Sequence, residues 1–105
     1  MSDGDRPLAG KVAVITGASS GIGKAAAISW AEMGADVVIS ARSDAPRSDG
    51  YPSLVDTRAA VEERGGECLA LRADVAVEAD IDRLAAETLD TFGHVDIVLN
   101  NAAAL

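Results

Sequence analysis

Apolar and polar positions follow two different periods along this chain, and segments of the two kinds alternate. Short apolar runs at residues 12–15, 37–41, 68–71 and 95–99 have the length and composition of buried strands. The first run, VAVI, is apolar at every position, as expected of a strand covered on both faces. The pattern therefore predicts four strands.

Segments between these runs carry apolar residues at helical spacing. The first helix is predicted from about residue 22 to residue 33, ahead of Gly34, and the second from about residue 54 to residue 64, ahead of Gly65. The third ends at Gly93 and has the clearest apolar face. The predicted apolar lines are Ile22, Ala26, Trp30 and Met33 in the first helix, and Ile81, Leu84, Ala85, Thr88, Leu89 and Phe92 in the third. Asp82, Arg83, Glu87 and Asp90 are predicted to face away, and residues 42–53 to form a surface loop.

The order β-α-β-α-β-α-β indicates an α/β fold with a parallel sheet, because parallel neighbours need a crossover helix. Right-handed crossovers in a doubly wound, Rossmann-type arrangement give the strand order 3-2-1-4. The switch point then lies between the first and fourth strands. At 105 residues the chain has room for one domain at most.

A glycine-rich turn follows the first strand, in the sequence VAVITGASSGIG. The amides of a helix N-terminus lack internal partners and the helix dipole is positive there, so a strand, a tight turn and a helix together favour an anion such as a pyrophosphate. We expect Gly17 to let the chain leave the strand sharply, Gly21 to allow close approach of a phosphate, and Gly23 to pack the helix on the strand. Ser19 and Ser20 add hydroxyl donors. The spacing G-x-x-x-G-x-G differs from the common dinucleotide fingerprint, and an ordinary loop is the alternative.

Composition narrows the function classes. A net charge of −8 argues against a nucleic-acid partner or an anionic membrane, because both need positive surface. The single cysteine, Cys68, excludes an internal disulfide and, within an apolar run, predicts a buried, inert thiol. One histidine and one cysteine cannot form a zinc cluster, and His94 is interpreted as an exposed turn residue. With no signal-peptide pattern in the first ten residues, a cytoplasmic location is predicted.

The chain resembles the N-terminal part of the short-chain dehydrogenase/reductase family. The matching motifs are TGASSGIG at residues 16–23, Asp74-Val75 after the third strand, and NNAA at residues 100–103 after the fourth. The family usually has glycine at the position of Ala103, and the position of Ser20 is often basic in NADP-preferring members.

The resemblance implies a dinucleotide site on these motifs. It places the pyrophosphate on the glycine turn, with Asp74 and Val75 around the adenine and with Asn101 and Ala102 near the nicotinamide-side ribose. The implied turn residues are Gly17, Ser19, Ser20, Gly21, Ile22 and Gly23. Taken alone, Asp74 also fits a helix cap or a solvated loop acid, and Asn100 a strand-end turn residue.

The end of the second strand bears on the choice of cofactor. Proteins that bind NAD tend to place a carboxylate there for the ribose 2′-hydroxyl, whereas this chain has Ala41 followed by Arg42. A guanidinium binds a 2′-phosphate through parallel hydrogen bonds. The sequence therefore predicts NADP(H) rather than NAD(H), although Asp44 is close enough in sequence to pair with Arg42.

The catalytic residues implied by the resemblance are a tyrosine and a lysine four positions apart. The only tyrosine is Tyr51, and Val55 stands four positions later. We therefore expect this chain to be the cofactor-binding front part of a longer enzyme that interconverts a small-molecule alcohol and a carbonyl by hydride transfer, and to be inactive alone. Family members commonly form homo-oligomers. The alternatives are a non-catalytic NADP(H)-binding module and a truncated relic that neither folds stably nor binds.

Overall fold

The computed structural model describes residues 6–19, 21–42 and 53–101. The strands are β1 (Val12–Thr16), β2 (Asp36–Ala41), β3 (Cys68–Arg72) and β4 (Ile97–Asn100). The helices are α1 (Gly21–Glu32), α2 (Leu54–Glu63) and α3 (Glu78–Phe92). All seven elements were predicted, with boundaries that differ by a few residues at most. The predicted loop lies largely outside the described residues.

The strands form one parallel sheet in the order β3-β2-β1-β4, which confirms the doubly wound arrangement. The register aligns the carboxyl ends of three neighbouring strands, because Thr16 pairs with Ser40 on one side and with Asn100 on the other. The segments that leave these strands therefore begin at one edge of the sheet.

The start of β4 differs from the prediction because a side chain replaces the backbone ladder there. The amide of Val12 donates to Oδ2 of Asp96 at 2.8 Å, and the amide of Asp96 donates to the carbonyl of Val12 at 2.9 Å. Val95 is exposed and precedes the paired region. The strand consequently begins at Ile97.

The two faces of the sheet are covered unequally, as the crossover directions predict. Ile15, Val37 and Ile39 pack on one face with residues of α1 and α2. Val14 and Val38 lie on the other face in a smaller cluster with Leu84 of α3. Among the described residues, that second face has a single covering helix.

The buried face of α1 was predicted only in part: Ala26 and Trp30 are partly buried against the core, but the ends of the predicted line are exposed. Ile22 is 72% exposed and Met33 is 38% exposed, whereas the fully buried positions are Gly23, Ala27 and Ala31. Small residues let the helix backbone lie close to the sheet, so the larger side chains of α1 are displaced to its margins. The buried positions 23, 27 and 31 each lie one residue after the predicted positions 22, 26 and 30.

The apolar face of α3 is also narrower than predicted. Leu84 and Thr88 are buried, but Ile81 is 44% exposed and Leu89 is 52% exposed. Glu87, predicted to face away, is partly buried, and its Oε2 has no hydrogen-bond partner among the described residues. Ile81, Leu84 and Thr88 line a cavity of about 480 Å³ that Val98 of β4 also lines, and Val98 is itself 64% exposed. No helix in the described ranges is long and apolar enough to cross a membrane.

The buried thiol of Cys68 generates a prediction for alkaline pH. Burial raises the pKa of this thiol from 9.0 to about 12. Below the unfolded pKa both states keep the proton, and above it the unfolded state alone releases it, so stability falls as pH rises toward the folded pKa. We expect the free energy of unfolding of the wild type to decline over this range more steeply than that of Cys68→Ala. Urea unfolding across a pH series measures both slopes, and equal slopes would contradict the prediction.

Candidate functional site

The segment from Gly17 to Gly23, which joins β1 to α1 and includes the first residues of the helix, is called the glycine turn. Gly17 has φ +66° and Gly21 has φ +61°, both in the left-handed region that glycine adopts at little cost. The chain can therefore reverse direction within a few residues of the strand. A Cβ added to Gly21 would meet nothing within 4 Å, so the space beside its backbone is open.

Gly23 lies in close contact with the backbone at the start of the glycine turn. A Cβ at this position would lie 2.4 Å from the carbonyl oxygen of Gly17 and 3.0 Å from Cα of Ala18. The close neighbour is therefore the backbone of the turn, rather than the strand beneath the helix as predicted. Only glycine allows the first turn of α1 to approach the end of β1 in this way.

Three hydrogen bonds from distant parts of the chain hold the glycine turn. The amide of Ala18 donates to the carbonyl of Ser40 in β2 at 3.0 Å. The hydroxyl of Thr57 in α2 donates to the carbonyl of Ala18 at 2.7 Å. Nδ2 of Asn101, immediately after β4, donates to the carbonyl of Gly17 at 3.1 Å. The turn is thus bonded to β2, to α2 and to the residue that follows β4.

Thr16 and the two asparagines link the ends of β1 and β4. The hydroxyl of Thr16 donates to Oδ1 of Asn100 at 3.0 Å and accepts from the amide of Asn101 at 3.0 Å. These contacts place Asn101 directly beside Gly17. The predicted meeting of the glycine turn with the asparagine pair is therefore observed.

The electrostatics of the helix N-termini distinguish α1 from the other described helices. The first turn of α1 has no acidic residue and contains Lys24. In α2, the carboxylate of Asp56 accepts from the amide of Ser53 at 2.8 Å, and this hydrogen bond lowers the pKa of that carboxyl. In α3, Glu78 and Asp80 occupy the first turn. Of these three helices, α1 is thus the one that has no carboxylate of its own in the first turn, at the positive end of the helix dipole.

Asp74 and Val75 lie at the same edge, after β3. The amide of Ala73 donates to the carbonyl of Ala41 at 2.9 Å, so Arg42 and Asp74 leave neighbouring strand ends that are bonded together. Oδ1 of Asp74 accepts from the amide of Ala76 at 2.9 Å, which gives this acid a local turn role of the kind left open above. Val75 lines a cavity of about 480 Å³ that Thr16 and Asn100 also line.

The described site residues thus share one edge of the sheet, while two predicted ones cannot be placed. Ser19 and Ile22 belong to the glycine turn, and Arg42 is exposed at the end of β2. Ser20 and Ala102 lie outside the described residues, as do Asp44, Tyr51 and Ala103. Sequence reasoning missed Thr57, although a signal existed: it stands between Leu54 and Val61 on the buried face of α2.

His94 lies at the opposite edge, before β4. Its Nε2 is 3.0 Å from Oδ2 of Asp96 and 3.1 Å from the carbonyl oxygen of Gly10. The side chain is 51% exposed. The prediction of an exposed turn residue away from the crevice is confirmed, with the addition that His94 joins the loop before β1 to the start of β4.

Comparisons with known proteins agree with this geometry. The family model for short chain dehydrogenases matches residues 11–105. YhdF, an oxidoreductase of Bacillus subtilis, is 41% identical over 100 residues, which cover 95% of this chain and 32% of YhdF.

Solved structures give the same result. A short chain dehydrogenase of Mycobacterium thermoresistibile superposes with a TM-score of 0.86 at 35% identity, covering 93% of this chain and 35% of that one. A hydroxysteroid dehydrogenase of Escherichia coli gives a TM-score of 0.81 at 38% identity, covering 99% of this chain and 41% of that one. The chain spans about a third of the length of its curated relative YhdF.

The contact at Gly23 generates a prediction for stability. In Gly23→Ala the new methyl would overlap the carbonyl of Gly17, and overpacking of this kind costs about 1–3 kcal/mol or more. We expect the Tm to fall by about 4–8 °C for each kcal/mol lost. Ser29→Ala, at an exposed position of the same helix, is the control and is expected to leave the Tm nearly unchanged. Thermal unfolding followed by circular dichroism measures both Tm values. A Tm of Gly23→Ala equal to that of the wild type would contradict the predicted overlap.

Proposed function

Because this chain belongs to the short-chain dehydrogenase family, we propose that it binds NADP(H) and supplies the dinucleotide-binding half of an oxidoreductase that interconverts an alcohol and a carbonyl. The observation that carries the proposal is the N-terminus of α1, which has no acidic residue in its first turn and follows a turn bonded to β2, α2 and the end of β4. Within the proposal, residues 1–105 are the N-terminal part of a single dinucleotide-binding domain.

The pyrophosphate fits the glycine turn. Gly21 leaves open space beside its backbone, and the residues at the start of α1 present amides that have no partner within the helix. Ser19, Ser20 and Ile22 would complete the cradle with Gly17 and Gly23. An anion placed there benefits from the helix dipole, a contribution of about 0.3–1 kcal/mol at an exposed position.

The adenosine half would lie toward β2 and β3. Arg42 is exposed at the end of β2, and Asp74 and Val75 follow β3 at the same edge. The guanidinium of Arg42 would donate two parallel N–H hydrogen bonds to the oxygens of a 2′-phosphate, which supports NADP(H) over NAD(H).

At the other end of the site, Asn101 and Ala102 would approach the nicotinamide-side ribose. The side chain of Asn101 already donates to the carbonyl of Gly17, so its part in binding is to hold the ends of β1 and β4 together beneath the cofactor. When bound, NADP(H) supplies or accepts the hydride. The substrate would be a small alcohol or carbonyl compound, and the longer enzyme a homo-oligomer in the cytoplasm.

Activity of the 105-residue chain alone is not part of the proposal. The tyrosine–lysine pair implied by the resemblance has no match among these residues, since Val55 stands four positions after Tyr51. We therefore infer binding without turnover for this chain. The same result is expected of a non-catalytic NADP(H)-binding module, whereas a truncated relic would bind neither nucleotide.

Cofactor titration tests this proposal. We expect saturable binding of NADPH, measured by its fluorescence, with a Kd about ten- to a hundredfold lower than that of NADH, because a charge-assisted hydrogen bond contributes about 1.5–3 kcal/mol. Tighter binding of NADH would contradict the NADP(H) assignment. If neither nucleotide gives saturable binding or a thermal shift, the truncated relic is the interpretation that remains.

A second titration tests the role assigned to Arg42. In Arg42→Ala the Kd of NADPH is expected to rise about tenfold or more, because the partner of the 2′-phosphate is lost, while the Kd of NADH changes little. The matched control is Arg58→Ala, which removes an equal charge from an exposed ion pair with Glu62 on α2. A similar rise in both variants would show a general effect of charge rather than recognition of the phosphate.

A further inference from the structure

A buried hydroxyl on α2 reaches the glycine turn across a long stretch of chain. Thr57 is fully buried, and its Oγ1 donates to the carbonyl of Ala18 at 2.7 Å over a sequence separation of 39 residues. We propose that Thr57 is a positioning residue, which orients the backbone of the glycine turn for the cofactor pyrophosphate. This inference rests on the function proposed above and names a residue outside the family motifs.

Comparison with a second buried threonine shows that this bond is not the usual local one. Thr88 in α3 is also fully buried, and its Oγ1 donates at the same distance of 2.7 Å to the carbonyl of Leu84, four residues earlier in its own helix. A buried hydroxyl needs a partner, and a helix offers one at that position. Thr57 instead bonds to the turn, so its hydroxyl joins two parts of the fold.

The bond fixes the direction of one peptide group. Both polar groups of Ala18 are engaged, the amide with Ser40 and the carbonyl with Thr57. In a trans peptide the C=O and the following N–H point in opposite directions. Drawing the carbonyl of Ala18 toward α2 therefore turns the amide of Ser19 away from α2, and Ser19 is partly exposed.

The donor is itself held firmly in place. Leu54 and Val61, on the same face of α2 as Thr57, are fully buried in the larger core cluster. At the start of the helix, Oδ2 of Asp56 accepts from both the amide and the hydroxyl of Ser53, at 2.8 and 3.1 Å. The position of Thr57 is thus set by packing and capping before any ligand binds.

Binding by three variants of the 105-residue chain tests the inference. In Thr57→Val the carbonyl of Ala18 loses its partner while the shape is retained, and we expect the Kd of NADPH to rise about fivefold or more. Thr57→Ser keeps the hydroxyl and should restore the Kd to near the wild-type value. Thr88→Val removes an equally buried hydrogen bond from α3 and should lower the Tm without changing the Kd. Should Thr57→Val fail to fold, Thr57→Cys, with a weak donor of similar size, is expected to give the same direction of change.

A second readout separates this inference from the proposed function. Hydrogen exchange of the Ala18 amide, which is bonded to Ser40, reports opening of the turn without any cofactor. The amides of β1 serve as the internal reference. We expect the Ala18 amide to exchange at least about fivefold faster in Thr57→Val than in the wild type, and at the wild-type rate in Thr88→Val. Failure of the wild type to bind either nucleotide would overturn the proposed function alone. A wild-type Kd or a wild-type Ala18 exchange rate in Thr57→Val would overturn the positioning role.

Discussion

The backbone at Gly17 and Ala18 is the point on which the rest of this structure depends. Its polar groups are bonded to β2, to α2 and to the residue after β4, and the first turn of α1 lies against it at Gly23. A buried carbonyl or amide without a partner would cost about 1–3 kcal/mol, so each of these elements stabilises the turn and is positioned by it. Gly17 and Ala18 are thus held by hydrogen bonds from three elements at the edge of the sheet where α1 begins.

These hydrogen bonds and the local charge together support the phosphate site proposed at that edge. The chain carries a net charge of −8, and the N-termini of α2 and α3 carry their own carboxylates. The start of α1 has none, and Arg42 stands exposed after the neighbouring strand. Among the three described helices, α1 is therefore the one whose first turn has no acidic residue, in a chain that is otherwise strongly acidic.

Much of the fold could be predicted because it depends on local patterns and on the handedness of crossovers. The four apolar runs became strands, and right-handed connections gave their order in the sheet. The errors have a common cause. The pattern of α1 contains large and small apolar residues, and only contact with the sheet shows that Gly23, Ala27 and Ala31 face inward. The start of β4 was missed because a carboxylate, Asp96, occupies the ladder position opposite Val12.

The sequence by itself determined the element order, the strand order, the place of the glycine turn and its meeting with Asn101, because each follows from spacing, glycine content or strand direction. Tertiary structure alone decided that Thr57 bonds to Ala18 and that Gly23 fits against Gly17. These contacts join residues up to 39 positions apart through side-chain geometry, and no local pattern encodes which buried hydroxyl will turn outward from its helix.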